Sequence, residues 1–537
     1  MNAADEQIER PDGRVELAGD VELADPALFN EDLAPTKIER RTWTTYTYAA
    51  LWISMAHCIP TYMLASGLIT AGMNWWQALV TIGVGNTIVL VPILANSHPG
   101  TKYGIPFPIF ARASYGVFGA NVPAVMRAIV ACGWFGINTW IGGQALQTFF
   151  RSLWSGWPAM LGDKSADGGL FGGHYPTEWI TFLLFWGLNI LVVYKGMELV
   201  RKVENIAAPY VLVMTALLVA WAVSKASDIE GHFSLGGVMH DAGKFHSFGE
   251  FWPVFVPSVT AMIGFWSTLS LNMPDFTRFG RSQREQTIGQ VVALPTTMTV
   301  FSLMGITITS ASMVIYGKAM WDPIELVGKF ESRLLVAIAM FTVVVATLGV
   351  NIAANVVSPA NDFANLFPGK ISFRTGGLIT GCVGILMVPW KLIADPNGYI
   401  FKWLLGYSGG LGSIAGVLVA DYWLVKKKQL RLGDLYRRDG VYAYGERAGV
   451  ETVKAKTGEG AFREGEAPLR ERVTYRGSGW NPAALVATGV GCALAWVGVV
   501  VKPLAVLYDY AWFVGAGGAG LTYWLMMKGK IVSASKP

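Results

Sequence analysis

Amide side chains recur at helical spacing inside apolar segments of this chain. Asn351 and Asn355 are four residues apart, which places both on one face of a helix, and Asn138 follows a tryptophan at the same spacing. An amide without a partner in hydrocarbon is costly, so these side chains need a polar cavity or a partner helix. A carboxamide offers both a donor and an acceptor, which matches the edge of an imide or ureide. The alternative is that Asn351 and Asn355 join neighbouring helices.

Aromatic side chains accompany these amides. Trp134 precedes Asn138 by one helical turn, and Phe265 and Trp266 follow Gly264 in another apolar segment. An indole face can stack on a planar ring. No Arg or Lys stands in the middle of these segments, so an anionic ligand would lack a cationic partner. The residues favour a flat, neutral, amide-bearing ligand, with ordinary core packing of Trp134 and Trp266 as the alternative.

Few titratable groups lie where they could carry a coupling ion. His57 stands inside the first apolar segment, where it could bind a proton or hydrogen-bond a free backbone carbonyl. Asp275 ends a later segment just before Arg278, which favours an ion pair or a helix cap. Asp421 precedes three lysines and is expected at the membrane interface. The side chains alone therefore leave the coupling ion open.

Two apolar segments contain helix-breaking residues. The segment 48–71 is interrupted at residues 57–60, and the segment 252–273 carries Pro257 and Gly264. Because lipid cannot hydrogen-bond free backbone groups, breaks at membrane depth are tolerated where they line a cavity. Paired breaks in two halves of a chain indicate the binding site of a secondary transporter.

The composition is that of an all-α integral membrane protein. Apolar residues make up 53% of the 537 residues and charged residues 15%, and the mean hydropathy is +0.40. The first forty residues contain no apolar core of a signal peptide. Twelve membrane helices are expected, at residues 47–72, 76–96, 122–150, 177–194, 206–224, 251–273, 289–316, 334–357, 375–392, 399–425, 481–501 and 505–527.

Five spans followed by five spans predict an inverted repeat, since an odd number of helices reverses the orientation of the second copy. The first repeat covers about 47–224 and the second about 251–425. The expected domain layout is a tail at 1–40, a ten-helix core at 41–426, a polar loop at 427–479, helices 11 and 12 at 480–528, and a tail at 529–537.

Local composition predicts how the polar segments behave. Residues 1–36 are expected to be disordered, and residues 97–118 are too rich in Pro and Gly for a regular helix. The loop 427–479 has too few apolar residues to build a domain. Glycines 406, 409, 410 and 412 in span ten would let that helix bend.

Basic residues gather in alternate short loops, so the positive-inside rule predicts that both termini lie in the cytoplasm. The expected location is the inner (plasma) membrane. The net charge of +5 is therefore not a nucleic-acid signal. The expected partners are a small-molecule substrate and the lipid bilayer, with the chain acting as a monomer and without a cofactor.

From about Arg41 to Tyr444 the chain resembles the nucleobase–cation symporter-1 family of hydantoin, allantoin, uracil and cytosine–purine permeases, and within it the bacterial allantoin permease branch. The motifs that carry the resemblance are Ala65-Ser66-Gly67-Leu68-Ile69, Tyr103-Gly104-Ile105-Pro106-Phe107-Pro108, Trp134-Phe135-Gly136, Asn272-Met273-Pro274-Asp275-Phe276-Thr277-Arg278 and Asn351-Ile352-Ala353-Ala354-Asn355. The resemblance implies a LeuT-type five-plus-five inverted repeat with two additional C-terminal helices.

The resemblance also implies roles for individual residues. Trp134 and Trp266 would sandwich the substrate ring, while Asn138, Asn355 and Cys58 fall where family members hydrogen-bond it. Cys58 is a departure, because Gln or Asn is usual there and a thiol is a weaker partner. At Phe265 the hydantoin transporter has Gly, so the pocket would be narrower on that side.

The cation site implied by the resemblance is incomplete. Backbone carbonyls would come from Ser54, His57 and Ala346, but the two hydroxyl ligands of the sodium-coupled member are replaced by Gly349 and Val350. Sodium needs several oxygen ligands, so proton coupling is favoured over sodium and no metal site is assigned.

The sequence therefore predicts a symporter that imports a planar ureide or nucleobase by alternating access, with spans 1, 2, 6 and 7 moving against spans 3, 4, 8 and 9. The alternatives are a sodium-coupled transporter of the same fold for another solute such as an amino acid, a membrane-embedded enzyme, and a channel. The scattered histidines argue against the enzyme.

Overall fold

The computed structural model describes residues 7–17, 25–195, 197–229, 234–240, 243–454 and 469–530, with side-chain detail lacking at 197–211, 240, 452–454 and 469–472. The first group of helices is α1 Thr45–Ala56, α2 Ile59–Thr70, α3 Trp75–Tyr103, α4 Phe107–Tyr115, α5 Asn121–Leu153, α6 Pro176–Lys195, α7 Met197–Ser227 and α8 Leu235–His240. The second group is α9 Phe248–Asn272, α10 Pro274–Thr277, α11 Gln283–Tyr316, α12 Pro323–Val327, α13 Arg333–Asn355, α14 Val357–Leu366, α15 Phe373–Leu386, α16 Pro389–Leu392 and α17 Leu405–Val419. The third group is α18 Pro482–Val500, α19 Ala505–Asp509 and α20 Ala511–Met527.

Each expected membrane span coincides with one or two of these helices, which confirms the all-α prediction. Within the described ranges, eight helices are long and apolar enough to cross a membrane, and three shorter apolar helices lie at Ile59–Thr70, Leu212–Ser227 and Phe373–Leu386. Span one is the pair α1 and α2, and span nine is α15 followed by α16.

The helices of the ten-span core pack in two groups. In one group α1, α2 and α3 pack around α11 and α9 packs against α3, and in the other α6, α13, α14 and α15 pack around α5. The helix α17 contacts α9 and lies against α18 and α20. The residues singled out in the sequence come from both groups, so the fold brings them to the boundary between the groups.

The prediction that residues 97–118 lack regular helix is wrong. The helix α3 begins with Asn74, whose side chain accepts a hydrogen bond from the Gln77 N–H at 2.9 Å, and it continues through Pro99 to a left-handed Gly104. A Cβ at Gly100 would lie 2.8 Å from Pro274 Cα, so close packing against α10 holds this helix end. The helix α4 then follows directly.

The predicted break in the middle of span six is also wrong, because α9 runs without interruption from Phe248 to Asn272. A Cβ at Gly264 would lie 2.6 Å from the carbonyl oxygen of Leu404, so this glycine permits close approach of span ten. The helix ends only at Met273, where α10 begins. A glycine needed for packing and one that interrupts a helix look the same in a sequence.

Span ten is irregular at both ends. Two π-helical segments, Gly398–Leu404 and Ala420–Val425, flank α17. The glycines between them permit close packing: a Cβ at Gly412 would lie 2.7 Å from the Trp512 carbonyl oxygen, and one at Gly409 would lie 2.5 Å from Ala495 Cβ. That they let the helix bend stays a prediction. The departures from α-helix geometry therefore lie at the ends of α17 and not at its glycines.

The predicted disorder of residues 1–36 is contradicted in the described part of that segment. The strands β1 Gln7–Glu9 and β2 Val15–Leu17 pair as an antiparallel hairpin, while residues 1–6 and 18–24 lie outside the described ranges. Leu28 and Leu33 are buried. The Arg278 guanidinium donates hydrogen bonds to the carbonyl oxygens of Asp32 and Ala34, both at 3.1 Å. Contacts with the loop after span six therefore order this acidic segment.

The polar loop 427–479 is also more structured than its composition predicts. Leu435 and Tyr436 are buried, and the Leu435 carbonyl oxygen accepts a hydrogen bond at 2.9 Å from the buried Arg112. The strands β3 Glu446–Lys454 and β4 Leu469–Arg476 form a second hairpin, with residues 455–468 outside the described ranges. A few apolar side chains are enough to order this loop because they pack against a surface that the membrane helices already provide. The domain boundaries remain predictions, and the tail 529–537 is described only to residue 530.

Candidate functional site

The break in span one is present as predicted. The helix α1 ends at Ala56, Cys58 has an extended backbone with φ −136° and ψ 157°, and α2 starts with Pro60 in its first turn. Proline suits that position because the first N–H groups of a helix have no partner within it. The break therefore replaces one continuous helix by two that meet at His57 and Cys58.

The His57 ring hydrogen-bonds the backbone of the last turn of α1. Its Nδ1 lies 2.7 Å from the Ile53 carbonyl oxygen, so Nδ1 carries the hydrogen and donates it. The His57 side chain is buried with its ring centroid 4.6 Å from that of Phe301, and Nε2 has no hydrogen-bond partner within the described part of the chain. Cys58 Sγ lies 3.3 Å from Thr61 Oγ1. Both side chains thus stabilise the broken segment locally.

Phe265 lies between the two tryptophans that the sequence analysis expected to sandwich a substrate. Its ring centroid is 5.2 Å from that of Trp134 and 4.8 Å from that of Trp266, both edge to face. Trp266 also stacks edge to face on Trp52 at 5.1 Å. A planar ligand between the two indoles would therefore have to displace the Phe265 ring, whereas the face of either indole alone is a sufficient stacking surface.

Span ten supplies three aromatic residues to this site that the sequence analysis missed. The Trp134 Nε1–H donates to Tyr407 Oη at 3.1 Å, and Tyr407 Oη donates to the Gly264 carbonyl oxygen at 2.8 Å. The ring centroids of Tyr399 and Trp403 lie 6.1 and 6.3 Å from that of Trp134. The signal was present in the sequence, because these three aromatics are spaced by four residues along one helix.

The amides divide into two roles. Asn351 Nδ2 lies 3.1 Å from Asn189 Oδ1 and 3.2 Å from Thr139 Oγ1, so Asn351 joins three helices as an interhelical connector. Asn355 Nδ2 donates to Asn351 Oδ1 at 3.1 Å. Asn138 Nδ2 donates to the Trp134 carbonyl oxygen at 3.1 Å, while its buried Oδ1 has no partner among the described residues. Asn138 thus has a free acceptor one turn from the indole of Trp134.

Three of the five positions of the expected cation site, His57, Ala346 and Val350, line one cavity beside α1 and α13, which pack against each other. A cavity of about 280 Å³ is lined by His57 and Cys58 on one side and by Ala346 and Val350 on the other. The rest of its wall consists mainly of apolar side chains from α7, α11 and α13. Ser54 and Gly349 do not line the cavity, and Thr347 is one of its few hydroxyl-bearing residues.

Three ionisable side chains, Arg127, Asp275 and Asp362, are buried, and Asp275 follows the end of α9. The Arg127 Nη1–H donates to Asp362 Oδ2 at 2.8 Å, and both side chains are fully buried. Asp275 Oδ1 accepts a hydrogen bond from the Phe107 N–H at 2.8 Å. The second carboxylate oxygens of Asp275 and Asp362 have no partner in the described ranges. The Arg127–Asp362 pair thus joins α5 to α14, and Asp275 joins α10 to the start of α4.

The sequence and the fold both match known transporters. Residues 35–456 match the family model described as permeases for cytosine/purines, uracil, thiamine and allantoin. The chain is 38% identical over 503 residues to the allantoin permease of Bacillus subtilis, covering 93% of each chain. It is 37% identical to the purine-uracil permease NCS1 of Arabidopsis thaliana, covering 94% of this chain and 78% of that one.

The fold matches the solved structure of Mhp1, a nucleobase-cation-symport-1 family transporter, in a closed conformation with bromovinylhydantoin bound. The TM-score is 0.69 at 24% identity, and the match covers 95% of this chain and 98% of the other. The architecture is therefore the predicted five-plus-five inverted repeat of the LeuT type with two additional helices.

Proposed function

Because the chain belongs to the family of permeases for cytosine/purines, uracil, thiamine and allantoin, we propose that it imports a planar ureide or nucleobase such as allantoin, hydantoin or a uracil-like base. The chain is a multi-pass membrane transporter and not an enzyme. The observation that supports this substrate class is that the unpartnered Oδ1 of Asn138 lies one helical turn from Trp134. A flat neutral ring can stack on the indole while its N–H groups donate to the amide.

In this proposal each site residue has a distinct role. Trp134 and Trp266 stack on the substrate ring, and Phe265 moves aside when the ring enters. Asn138 and Asn355 hydrogen-bond the substrate edge, with Cys58 at the break as a weaker partner. These assignments follow from the side-chain chemistry and from the boundary between the two helix groups at which they lie.

Asn351 has a supporting role in this proposal. Its Oδ1 accepts the hydrogen bond that orients Asn355, and its Nδ2 is held by the neighbouring helices. Asn351 would thus position Asn355 and would not itself touch the substrate.

The proposed coupling ion is the proton. Ala346, Gly349 and Val350 carry no side-chain oxygen, and the cavity beside them is walled mainly by apolar groups. Sodium would depend on backbone carbonyls near Ser54 and His57, fewer ligands than a hard cation requires. His57, with its unpartnered Nε2 facing this region, is the proposed proton-binding group.

The proposed setting is the inner (plasma) membrane, with both termini in the cytoplasm and the protein acting as a monomer. Uptake would proceed by rocking of spans 1, 2, 6 and 7 against spans 3, 4, 8 and 9, which correspond to the two packing groups. Reporter fusions at residues 1 and 537 test the orientation: fluorescence of a cytoplasmic reporter at both ends supports it, and activity of a periplasmic reporter at either end contradicts it.

Transport in reconstituted vesicles tests the substrate class. We expect saturable uptake of radiolabelled allantoin, hydantoin or uracil, and loss of stacking in Trp134→Ala should raise KM roughly 5- to 150-fold, since one stacked base contributes about 1–3 kcal/mol. Asn355→Ala should raise KM by about 2- to 12-fold. Trp76→Ala, at an exposed indole on α3, is the control and should transport normally. Normal transport by well-expressed Trp134→Ala would refute the site.

An imposed ion gradient tests the coupling. A proton gradient should drive accumulation in sodium-free buffer, and His57→Gln should abolish accumulation while leaving facilitated exchange of substrate. A sodium gradient that drives uptake at constant pH would overturn proton coupling. Sodium-driven uptake of an amino acid without nucleobase or ureide transport would favour the alternative solute class instead.

A further inference from the structure

A polar pocket of about 270 Å³ lies at the end of the molecule where α3 stops and the chain leaves span ten. The first hairpin, the last turns of α3, the start of α11 and the turn at residues 427–429 form its wall. This pocket is separate from the substrate site between the two helix groups.

The pocket carries an excess of positive charge. Lys102, Lys427 and Lys428 line it, and the carboxylates in its wall are those of Glu9 and Asp12. Glu9 lies 3.5 Å from Lys102 Nζ, and Asp12 is paired with an arginine of its own hairpin at 2.7 Å. Within the part of the chain that the structure describes, Lys427 and Lys428 have no carboxylate partner.

The turn that presents these lysines has an unusual backbone. Lys427 has φ 49° and Lys428 has φ 65°, so two consecutive residues with side chains adopt the left-handed region. For a residue with a side chain this conformation is strained, and it persists only where its surroundings hold it.

Surrounding contacts fix this strained turn. The Lys428 N–H donates to the Tyr422 carbonyl oxygen at 2.8 Å, and Tyr103 Oη donates to the Lys428 carbonyl oxygen at 3.0 Å. Tyr103 Oη also accepts from the Leu430 N–H at 2.8 Å. The Lys428 Nζ lies 5.5 Å from the centroid of the Trp423 ring. Contacts of both its backbone and its side chain thus fix the orientation of Lys428 in the pocket.

We propose that this pocket binds a phosphate group, either of an anionic lipid in the adjoining leaflet or of a small phosphate in solution. Two uncompensated ammonium groups beside a third form a site for a compact anion. Basic pockets between membrane helices at the bilayer edge bind anionic headgroups. The inference is independent of which substrate the protein transports.

Thermal unfolding of the purified full-length protein tests the site, with the melting temperature measured in phosphatidylcholine nanodiscs. Phosphatidylglycerol in the discs should raise Tm by several degrees because a ligand that binds only the folded state stabilises it. The variant Lys427→Asn with Lys428→Asn removes both charges but keeps residues that tolerate the left-handed region. This variant should lose the increase in Tm.

The matched control is Lys391→Gln with Lys402→Gln, which removes two exposed charges near the loop between spans nine and ten, at the opposite membrane face. It should keep the increase caused by phosphatidylglycerol. If inorganic phosphate at matched ionic strength gives the same lysine-dependent increase without the lipid, the proposed pocket stands and its ligand comes from solution. Equal increases in both variants, or no increase from either lipid or phosphate in the wild type, would overturn the proposal.

Discussion

Replacing Arg127 by Met should destabilise the protein more than any single change on its surface. Arg127 and Asp362 are both fully buried and their side chains meet at 2.8 Å. Removal of one partner from a buried ion pair leaves the other charge without compensation, which costs about 3–5 kcal/mol of unfolding free energy.

The two single variants should not be equivalent, because Arg127 also acts electrostatically on the buried Asp275. Arg127→Met leaves Asp362 without its ion-pair partner and removes one of the two arginines that act on Asp275, so its cost should be about 5 kcal/mol. Asp362→Leu leaves Arg127 opposite Asp275, so its cost should lie nearer to about 3 kcal/mol. The double variant should cost less than the sum of the single variants by about 3 kcal/mol, because the two changes remove the same interaction.

Unfolding free energies from titration of sodium dodecyl sulfate into detergent-solubilised protein test this cycle. Arg281→Met, at an exposed position before α11, is the control and should change stability by no more than about 0.5 kcal/mol. The reasoning is refuted if Arg127→Met is no less stable than this control, or if the effects of the two single changes simply add.

Three further predictions follow from the described contacts. Tyr407→Phe removes the hydroxyl that accepts a hydrogen bond from the Trp134 indole, so KM for uptake should rise roughly tenfold at normal expression. An unchanged KM would show that Tyr407 does not contribute to substrate binding. Burial raises the pKa of Asp322 to about 6 from 3.8. The free energy of unfolding of the wild type should therefore fall by up to about 2 kcal/mol as the pH rises from about 4 to about 6, because the folded state holds this proton more tightly than the unfolded state. In melting temperatures measured across this pH range, Asp322→Asn should lack this decrease. Gly412→Val, whose Cβ would press on a backbone carbonyl of α20, should lower stability by about 1–3 kcal/mol, and Gly517→Val, which faces open space, should not.

The fold was largely predictable from the sequence because long apolar runs have few alternatives in a membrane. The twelve spans and the break at His57 and Cys58 followed from hydropathy and from a proline in a helix-start position. The pairing of Trp134 with Asn138 followed from the helical period, and their placement in one site follows from the two helix groups.

The errors share a physical cause, which is that tertiary contacts decide between local alternatives. Gly264 reads as a break but permits contact with Leu404, and Pro99 reads as a helix end but lies within α3. Asn351 and Asn355 have the same chemistry and lie on one helix face, and the positions of Asn189 and Thr139 make the first a connector. The acidic N-terminal segment reads as disordered because its ordering contacts with Arg278 come from residues far along the chain.

The π-helical segment Gly398–Leu404 has a consequence for insertions and deletions in span ten. A π turn accommodates one residue more than an α turn, so a chain shortened by one residue there could still form a continuous helix. The rest of the span would then keep its orientation, because the residue removed is the one that the wider turn had absorbed. Tyr407 would still donate its hydroxyl toward Gly264 and face Trp134. A one-residue deletion within Gly398–Leu404 should therefore preserve this wall of the substrate site, whereas the same deletion inside α17 would rotate the residues beyond it by about 100° about the helix axis.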